Sequence, residues 1–358
     1  MTSTRTAVFC GGGSVGHVAP AIAVAEAMAA RSGAVPFFIC SGREEEKRLL
    51  KQSGFRFEAL GLSGLPRGFS LAWIRFPFDF LWALLRSWRI LRRERPDIVF
   101  SKSGSLSVPV CIAARCLGIP VVLHESDCVP GLGTSLLSRI SKKICTGFEL
   151  KALFPKLKDR IVRTGNPVRR EIFLGSKSAG QRITGFSGRR PVLMVIGGSQ
   201  GAAALNEAVE KHFDVLINLA DIIHITGIGK ELGRTHARYF SRPYVVEELP
   251  HLYALADLVI TRAGAGVLSE LGALKKPAIV IPLGGVAHDH QLKNALVLAE
   301  NGAIEPLKQE DLPLLPGRVA ALLANQQRLK LLGENLSGFF PADASGNIAK
   351  VLLDAIAG

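Results

Sequence analysis

"CGGGSVGH", residues 10–17, follows the apolar run Ala7-Val8-Phe9. A short apolar strand that runs into a glycine-rich turn and then a helix opens a Rossmann-type unit. Gly11, Gly13 and Gly16 satisfy G-x-G-x-x-G, which alone is a weak signal. A nicotinamide or flavin site would place an acidic residue at the end of the second strand, to hold ribose hydroxyls. That strand ends here in Cys40-Ser41-Gly42-Arg43, and Glu44, Glu45 and Glu46 come only after the turn. The dinucleotide reading is weakened, and an NADP-type site stays open. The glycines let the backbone approach a bulky ligand and expose a helix N-terminus, whose free N–H groups favour anions. His17 falls on the first helical turn. The helix dipole there disfavours imidazolium, so the ring is expected to be neutral and able to accept a proton. This makes His17 a candidate base, against the alternative of a structural histidine.

Outward from this loop, short apolar runs alternate with helical patterns. Strands are expected at 7–10, 36–40, 57–60, 98–101, 121–124 and 143–146, with helices at 17–30 and 106–117 between them. The pattern then restarts: strands at 191–196, 222–226, 244–246, 258–261 and 278–282, helices at 266–274 and 289–301. Such alternation predicts parallel sheets with helices on both faces. The polar, Gly- and Ser-containing stretch 175–190 is expected to be a loop or linker.

The second half opens on its own glycine turn, Gly197-Gly198-Ser199-Gln200-Gly201. The Ser199 hydroxyl and the helix N-terminus behind it suit a phosphate or diphosphate; the plainer alternative is a serine N-cap. In "TRAGAGVLSELGAL", residues 261–274, Gly264 and Gly266 leave a strand and start a helix, and Glu270 lies one turn into it. A carboxylate there could accept both ribose hydroxyls, or be an ordinary exposed helical glutamate. "HDHQLKNA" places Gln291 and Asn294 three apart on one helix face, where both could bond sugar hydroxyls. His288, Asp289 and His290 lack a convincing further metal-ligand set. No D-x-D occurs in the chain. A departing nucleoside diphosphate would therefore rely on helix N-termini and a cation, for which Arg169 in "TGNPVRR" is the candidate.

The totals agree with a two-domain globular protein: 358 residues, 48% apolar and 21% charged, with a formal net charge of +14. That charge favours anionic partners. Six cysteines, at 10, 40, 111, 116, 128 and 145, contain no C-x-x-C pair and are expected to be reduced and mostly buried. The N-terminus lacks a secretory-signal layout, and no apolar run approaches the roughly 20 residues needed to span a bilayer.

The stretch 68–97, "GFSLAWIRFPFDFLWALLRSWRILRRERPD", is aromatic and basic. Pro77 is expected to divide it. Phe78, Leu81, Trp82 and Leu85 fall at helical spacing after that break, beside a polar stripe of Asp79, Arg86, Arg89 and Arg93. All three tryptophans of the chain, Trp73, Trp82 and Trp88, lie here. Tryptophan beside arginine suits an anionic lipid interface, with Phe69, Trp73, Phe76, Phe80, Trp82 and Trp88 as candidate contacts. The alternative is a core helix with a basic edge. The stretch is too apolar for base stacking, so nucleic acid is not an expected partner.

"GGGSVGHVAPAIAVAEAM", "GIPVVLHESDCVPGL", "TGNPVR", "GGSQGAAALNEAV", "ADLVITRAGAGVLSELGAL" and "DHQLKNA", in this order and across most of the chain, resemble the MurG family. These are bacterial N-acetylglucosaminyltransferases that convert lipid I to lipid II in peptidoglycan synthesis. The resemblance implies an α/β, GT-B glycosyltransferase fold of two Rossmann-like domains with a cleft between them. Residues 1–165 would bind acceptor and membrane, 166–340 would bind UDP-GlcNAc, and a C-terminal helix in 341–358 would pack back on the first domain. It also implies a peripheral enzyme on the cytoplasmic face of the cell membrane, with no cofactor and no metal.

By resemblance, Glu270 would hold the ribose, Ser199 and Arg169 the diphosphate, and Gln291 and Asn294 the sugar. Val246 would meet uracil through its backbone, and Ala265, Gly266, Val267, Leu268 and Ser269 would line the same pocket. Ser14, Val15, Gly16 and Asp127 would close over the sugar. His17 would be the base for the acceptor's C4 hydroxyl, with Glu125 the second candidate or an orienting group. Direct displacement would invert the anomeric centre. A UDP-sugar epimerase, or another glycolipid transferase on the same fold, is the alternative. Three departures bear on the first domain: Ser14 and Val15 in a loop that the family writes GGGTGGH, Asp127 in HESD for HEQN, and Ser105 where the family has tyrosine.

Overall fold

The computed structural model describes residues 5–12, 15–62, 72–198, 201–285 and 289–357. Two units account for them: Met1–Arg169 with Asp343–Gly358, and Arg170–Ala342.

The first unit is built on strands β1 (Thr6–Cys10), β2 (Val35–Cys40), β3 (Arg56–Ala59), β4 (Ile98–Ser101), β5 (Val121–Glu125), β6 (Lys143–Thr146) and β7 (Ile161–Arg163). They form a parallel sheet in the order β3-β2-β1-β4-β5-β6-β7. Helices α1 (Val15–Ser32), α2 (Glu44–Gln52), α3 (Ala72–Glu94), α4 (Ser107–Cys116) and α5 (Leu132–Leu137) connect them. Both faces are covered, so β1 and β4 are apolar nearly throughout. The two-residue period sends Ala7 and Phe9 to one core, with Phe38, Phe100 and α1. It sends Val8 and Cys10 to the other, with Ile39, Val99, α3 and α4.

α3 runs unbroken through Pro77. The proline is the sixth residue of the helix, where its missing N–H and its ring disturb only the first turns. Ala83, Ile90 and Leu91 face the core, and Trp88 packs partly against it. Phe76 and Phe80 are half-buried, while Ile74, Phe78, Leu81, Trp82 and Leu85 form a second, outward stripe, with Phe78 72% and Leu85 54% exposed. Among the described residues, no helix is long and apolar enough to cross a membrane.

The second unit begins with α6 (Lys177–Thr184), inside the stretch expected to be a linker. Ser176 caps its N-terminus, Gly185 in the left-handed region closes it, and Gly180 lets it press on the His251 carbonyl. Here glycine is a packing residue of a helix. The sheet follows, from β8 (Val192–Ile196), β9 (Asp221–Ile225), β10 (Tyr239–Arg242), β11 (Leu258–Thr261), β12 (Ala278–Val280) and β13 (Glu305–Pro306), in the order β10-β9-β8-β11-β12-β13. The strand expected at 244–246 is thus β10, five residues earlier: Pro243 ends it, and only Val245 of the apolar trio is buried. Helices α7 (Ala203–Lys211), α8 (Phe213–Leu219), α9 (Leu249–Leu255), α10 (Ala265–Ala273), α11 (His290–Glu300), α12 (Leu315–Leu323) and α13 (Gln326–Phe339) complete this unit.

α14 (Ala344–Ala357) then returns to the first unit. Ile348, Ala349, Leu352 and Ala355 are buried in one core with Val18, Ala21, Ile22 and Ala25 of α1. The Lys142 ammonium donates to the Ala355 carbonyl at 2.9 Å, a cation at the helix C-terminus. Five of the six cysteines are buried, and Cys116 is exposed.

Candidate active site

In each sheet the strand order reverses beside the first strand, between β1 and β4 and between β8 and β11. Ligands of open α/β sheets bind at the carboxyl ends of the strands at such a switch point. The glycine turns lie there in both units.

In the second unit, the Thr261 hydroxyl donates to the Ile196 carbonyl at 2.8 Å and ties β11 to β8 at this edge. The turn after β8 passes so close to β9 that a Cβ on Gly201 would lie 2.3 Å from the Thr226 carbonyl oxygen, at a φ of +66°. That same carbonyl accepts from the Asn206 amide at 3.0 Å. Asn206 Oδ1 accepts from His224 Nε2 at 3.0 Å, and His224 Nδ1 accepts from the Tyr239 hydroxyl at 2.9 Å. Burial pushes the His224 pKa down to about 4, so a neutral ring closes this brace beneath the turn.

After β11, the Arg262 guanidinium donates to the Ile281 carbonyl at 3.2 Å and to Gln309 Oε1 at 2.8 Å. The chain then enters α10. Ala265, Leu268 and Ser269 are buried, Val267 is half-buried, and Gly266 is exposed on the first turn. Ser269 bonds back to the Ala265 carbonyl at 2.5 Å. Glu270 is half-buried, and its Oε2 accepts from the Tyr253 hydroxyl at 3.1 Å, which orients the carboxylate. Asn294, fully buried, donates to the Ala263 carbonyl at 3.2 Å and so braces the β11–α10 turn. Gln291 Oε1 accepts from the Leu283 N–H at 3.2 Å. Val246 is exposed after β10. These residues share the carboxyl edge of one sheet. Ser199 and His288 lie outside the described residues. Asp289 binds the Gly285 N–H at 2.7 Å.

In the first unit, the Lys102 N–H donates to the Cys10 carbonyl at 2.9 Å and ties β4 to β1. A Cβ on Gly12 would come 2.8 Å from the Ser41 nitrogen, so the glycine turn is pressed against the end of β2. Gly16 is exposed on the first turn of α1, where His17 also stands. The side chains of Val15 and His17, and the whole of Ser14 and Phe69, lie outside the described residues. Glu125, at the end of β5, is buried. Its Oε1 accepts from the Asp127 N–H at 3.1 Å, and its Oε2 accepts from the Gly131 N–H at 3.1 Å and the Thr134 hydroxyl at 2.5 Å. Asp127 is half-buried on the turn this carboxylate organises. Arg169, half-buried, ends the main segment of the unit.

Beneath that turn lies Lys102, 5% exposed. Its ammonium donates to His124 Nδ1 at 3.0 Å and to the Ser126 hydroxyl oxygen, and His124 Nε2 donates to the Gly165 carbonyl at 3.0 Å. Burial pushes the Lys102 pKa down to about 8 against the opposing pull of Glu125 and Asp127. Burial and the Lys102 charge hold His124 well below its ordinary range, so it is neutral. A lysine between two serines carries no sequence signal of burial; its one clue is that it directly follows the buried run Ile98–Ser101.

Two family descriptions match: the glycosyltransferase family 28 N-terminal domain over residues 7–146 and its C-terminal domain over residues 192–345. The chain is 38% identical over 308 residues to the "UDP-N-acetylglucosamine--N-acetylmuramyl-(pentapeptide) pyrophosphoryl-undecaprenol N-acetylglucosamine transferase" of Clostridium botulinum, covering 85% of this chain and 86% of that protein. The chain belongs to the MurG family. The protein of the same name from Lachnospira eligens is likewise 38% identical, over 310 residues. The crystal structure of Acinetobacter baumannii MurG superposes with a TM-score of 0.72 at 26% identity, over 98% of this chain and 99% of that one. The GT-B-like MurG fold is shared more widely. A UDP-GlcNAc 2-epimerase from Neisseria meningitidis reaches a TM-score of 0.71 over 98% of this chain and 100% of that one, at 12% identity, which is a likeness of fold alone.

Proposed function

We propose that this chain transfers N-acetylglucosamine from UDP-GlcNAc to the C4 hydroxyl of N-acetylmuramic acid in undecaprenyl-pyrophosphoryl-MurNAc-pentapeptide, forming lipid II. The observation that carries it is the 38% identity over 85% of the chain to the curated transferases. An epimerase is not favoured, since the epimerase likeness is confined to fold.

The second unit holds the donor. Glu270, oriented by Tyr253, takes the ribose hydroxyls, and Val246 meets uracil through its backbone. The α10 turn from Ala265 to Ser269 lines the pocket, with Gln291 and Asn294 on the sugar side. Ser199, the turn N–H groups and Arg169 carry the charge that builds on the diphosphate. In the first unit, Ser14, Val15, Gly16 and Asp127 stand at the sugar. His17 takes the proton from the C4 hydroxyl as its oxygen attacks C1 opposite UDP. The C1–O bond breaks, its electron pair leaves with UDP, and the anomeric centre inverts. Glu125 already accepts three hydrogen bonds, which favours His17 over it as the base. The test is transfer of labelled sugar from UDP-GlcNAc to a lipid I analogue. Release of free sugar or an epimer, with nothing on the muramyl lipid, would overturn the reading.

The acceptor is lipid-borne, and we assign its membrane contact to α3. In a parallel α/β unit each connecting helix starts at the carboxyl edge of the sheet, so the outward stripe of α3 begins on the edge that carries the glycine turns. Arg86 lies over the Trp82 ring at 5.1 Å, an aromatic–cation pair suited to an anionic headgroup layer. Replacing Phe78 and Trp82 together by serine is expected to weaken binding to anionic vesicles at least tenfold, since two half-inserted side chains are worth about 2 kcal/mol. Turnover of a water-soluble acceptor analogue should stay unchanged. Vesicle binding equal to that of the parent would remove the assignment.

A further inference from the structure

Lys102 stands at the β1–β4 switch point, and four carboxyl strand ends converge on it. Its N–H holds the end of β1 through the Cys10 carbonyl. Its side chain crosses beneath β5 to His124 and Ser126. Through His124 it reaches Gly165, in the segment after β7. Ser126 is held a second time, by the Asn166 amide on its carbonyl at 3.0 Å. The turn that carries Asp127 is thus held by the Glu125 carboxylate through the Asp127 and Gly131 N–H groups and by the Lys102 ammonium through the Ser126 hydroxyl.

We infer that Lys102 is a positioning residue for the transfer reaction, pinning Ser126 and His124 so that the Asp127 turn keeps the geometry the transferred sugar needs. This rests on the reading that places Asp127 at the sugar. The ammonium has neutral direct partners, so its charge serves to orient them: it makes His124 Nδ1 an obligate acceptor, which fixes the Nε2 proton on Gly165. An uncharged residue of the same length could fill the space but could not set that polarity.

The titratable groups facing the ammonium are His124 and Glu125 on β5 and Asp127 on the following turn. On β1 the nearest titratable side chain is Cys10, whose thiol is engaged with Cys111, Ser107 and Ser101. Burial brings loss of the Lys102 proton to about pH 8, so the pinning is present below that pH and lost above it.

The test is steady-state kinetics across pH 6.5–10 for wild type, Lys102→Met and Lys102→Arg with a lipid I analogue. Misplacing a reacting group by about 1 Å costs on the order of 10²-fold. Lys102→Met is therefore expected to lower kcat about 10- to 100-fold, with a smaller change in KM for UDP-GlcNAc, most of whose contacts are assigned to the second unit. Wild-type turnover should fall above pH about 8. Lys102→Met should lose that limb, and Lys102→Arg should move it beyond the range while recovering part of the rate. Thermal unfolding of all three proteins separates this effect from collapse of the unit, and Lys102→Arg carries the test if Lys102→Met does not fold. An unchanged alkaline limb in either variant that folds, or wild-type kcat in Lys102→Met, overturns the inference. A wild-type protein that labels no lipid overturns the reading of function instead.

Discussion

His17→Ala is expected to lower kcat about 10²–10⁴-fold, the range a positioned general base contributes. His17 sits on the first turn of α1, directly behind the glycine turn of β1. The partial positive charge of a helix N-terminus disfavours imidazolium and keeps the ring available for a proton. The donor is assigned to the second unit, so KM for UDP-GlcNAc should move far less than kcat. The acidic limb of the wild-type rate profile should also vanish, because it reports protonation of this base. A His17→Ala protein with kcat within about threefold of wild type would remove the assignment.

Glu125→Ala should destabilise the first unit by about 3 kcal/mol. The buried carboxylate satisfies two backbone N–H groups and one hydroxyl; alanine would strand the two N–H groups and leave the Thr134 hydroxyl its Ser103 partner alone. Each orphaned buried donor costs about 1–3 kcal/mol, reduced where Asp127 and Gly131 still reach water. Glu125→Gln keeps one acceptor oxygen and the side-chain volume. It should lose less stability and retain turnover within about tenfold. The alternative role gives the opposite pattern: were Glu125 the base, glutamine would abolish kcat while leaving the unfolding midpoint nearly in place. Calorimetry with kinetics on both variants decides between brace and base.

The sheets were legible where buried apolar runs met glycine turns, as at Phe9-Cys10-Gly11, Val195-Ile196-Gly197 and Ile260-Thr261 before Gly264. A parallel strand covered on both faces has to be written in that way. Legibility failed where a residue's environment comes from distant chain. Tyr244-Val245-Val246 has strand composition, but pairing with β9 selects Tyr239–Arg242 instead, where Arg242 lies 4.4 Å above the Phe240 ring. Gly180 looked like a linker residue because the His251 carbonyl it accommodates lies 71 positions away. Pro77 looked like a break because its distance from the helix start was unknown. Near the site, the glycine turns and the placing of Glu270 within a helix could be read from spacing. Lys102 could not, because its burial depends on His124, Ser126 and the strand ends around them. The outward stripe of α3 was only half legible: periodicity found the apolar faces, but which one the core would claim was settled by α4.

The return of α14 has a consequence for biosynthesis. Its Ile348 and Leu352 fill the hollow beside Met28 and Phe9, yet they leave the ribosome only after the entire second unit has been translated. The unit that starts first therefore finishes last, and until then α1 shows an oily flank to solvent. A stalled or truncated message would yield a sound second unit joined to a first unit prone to aggregate.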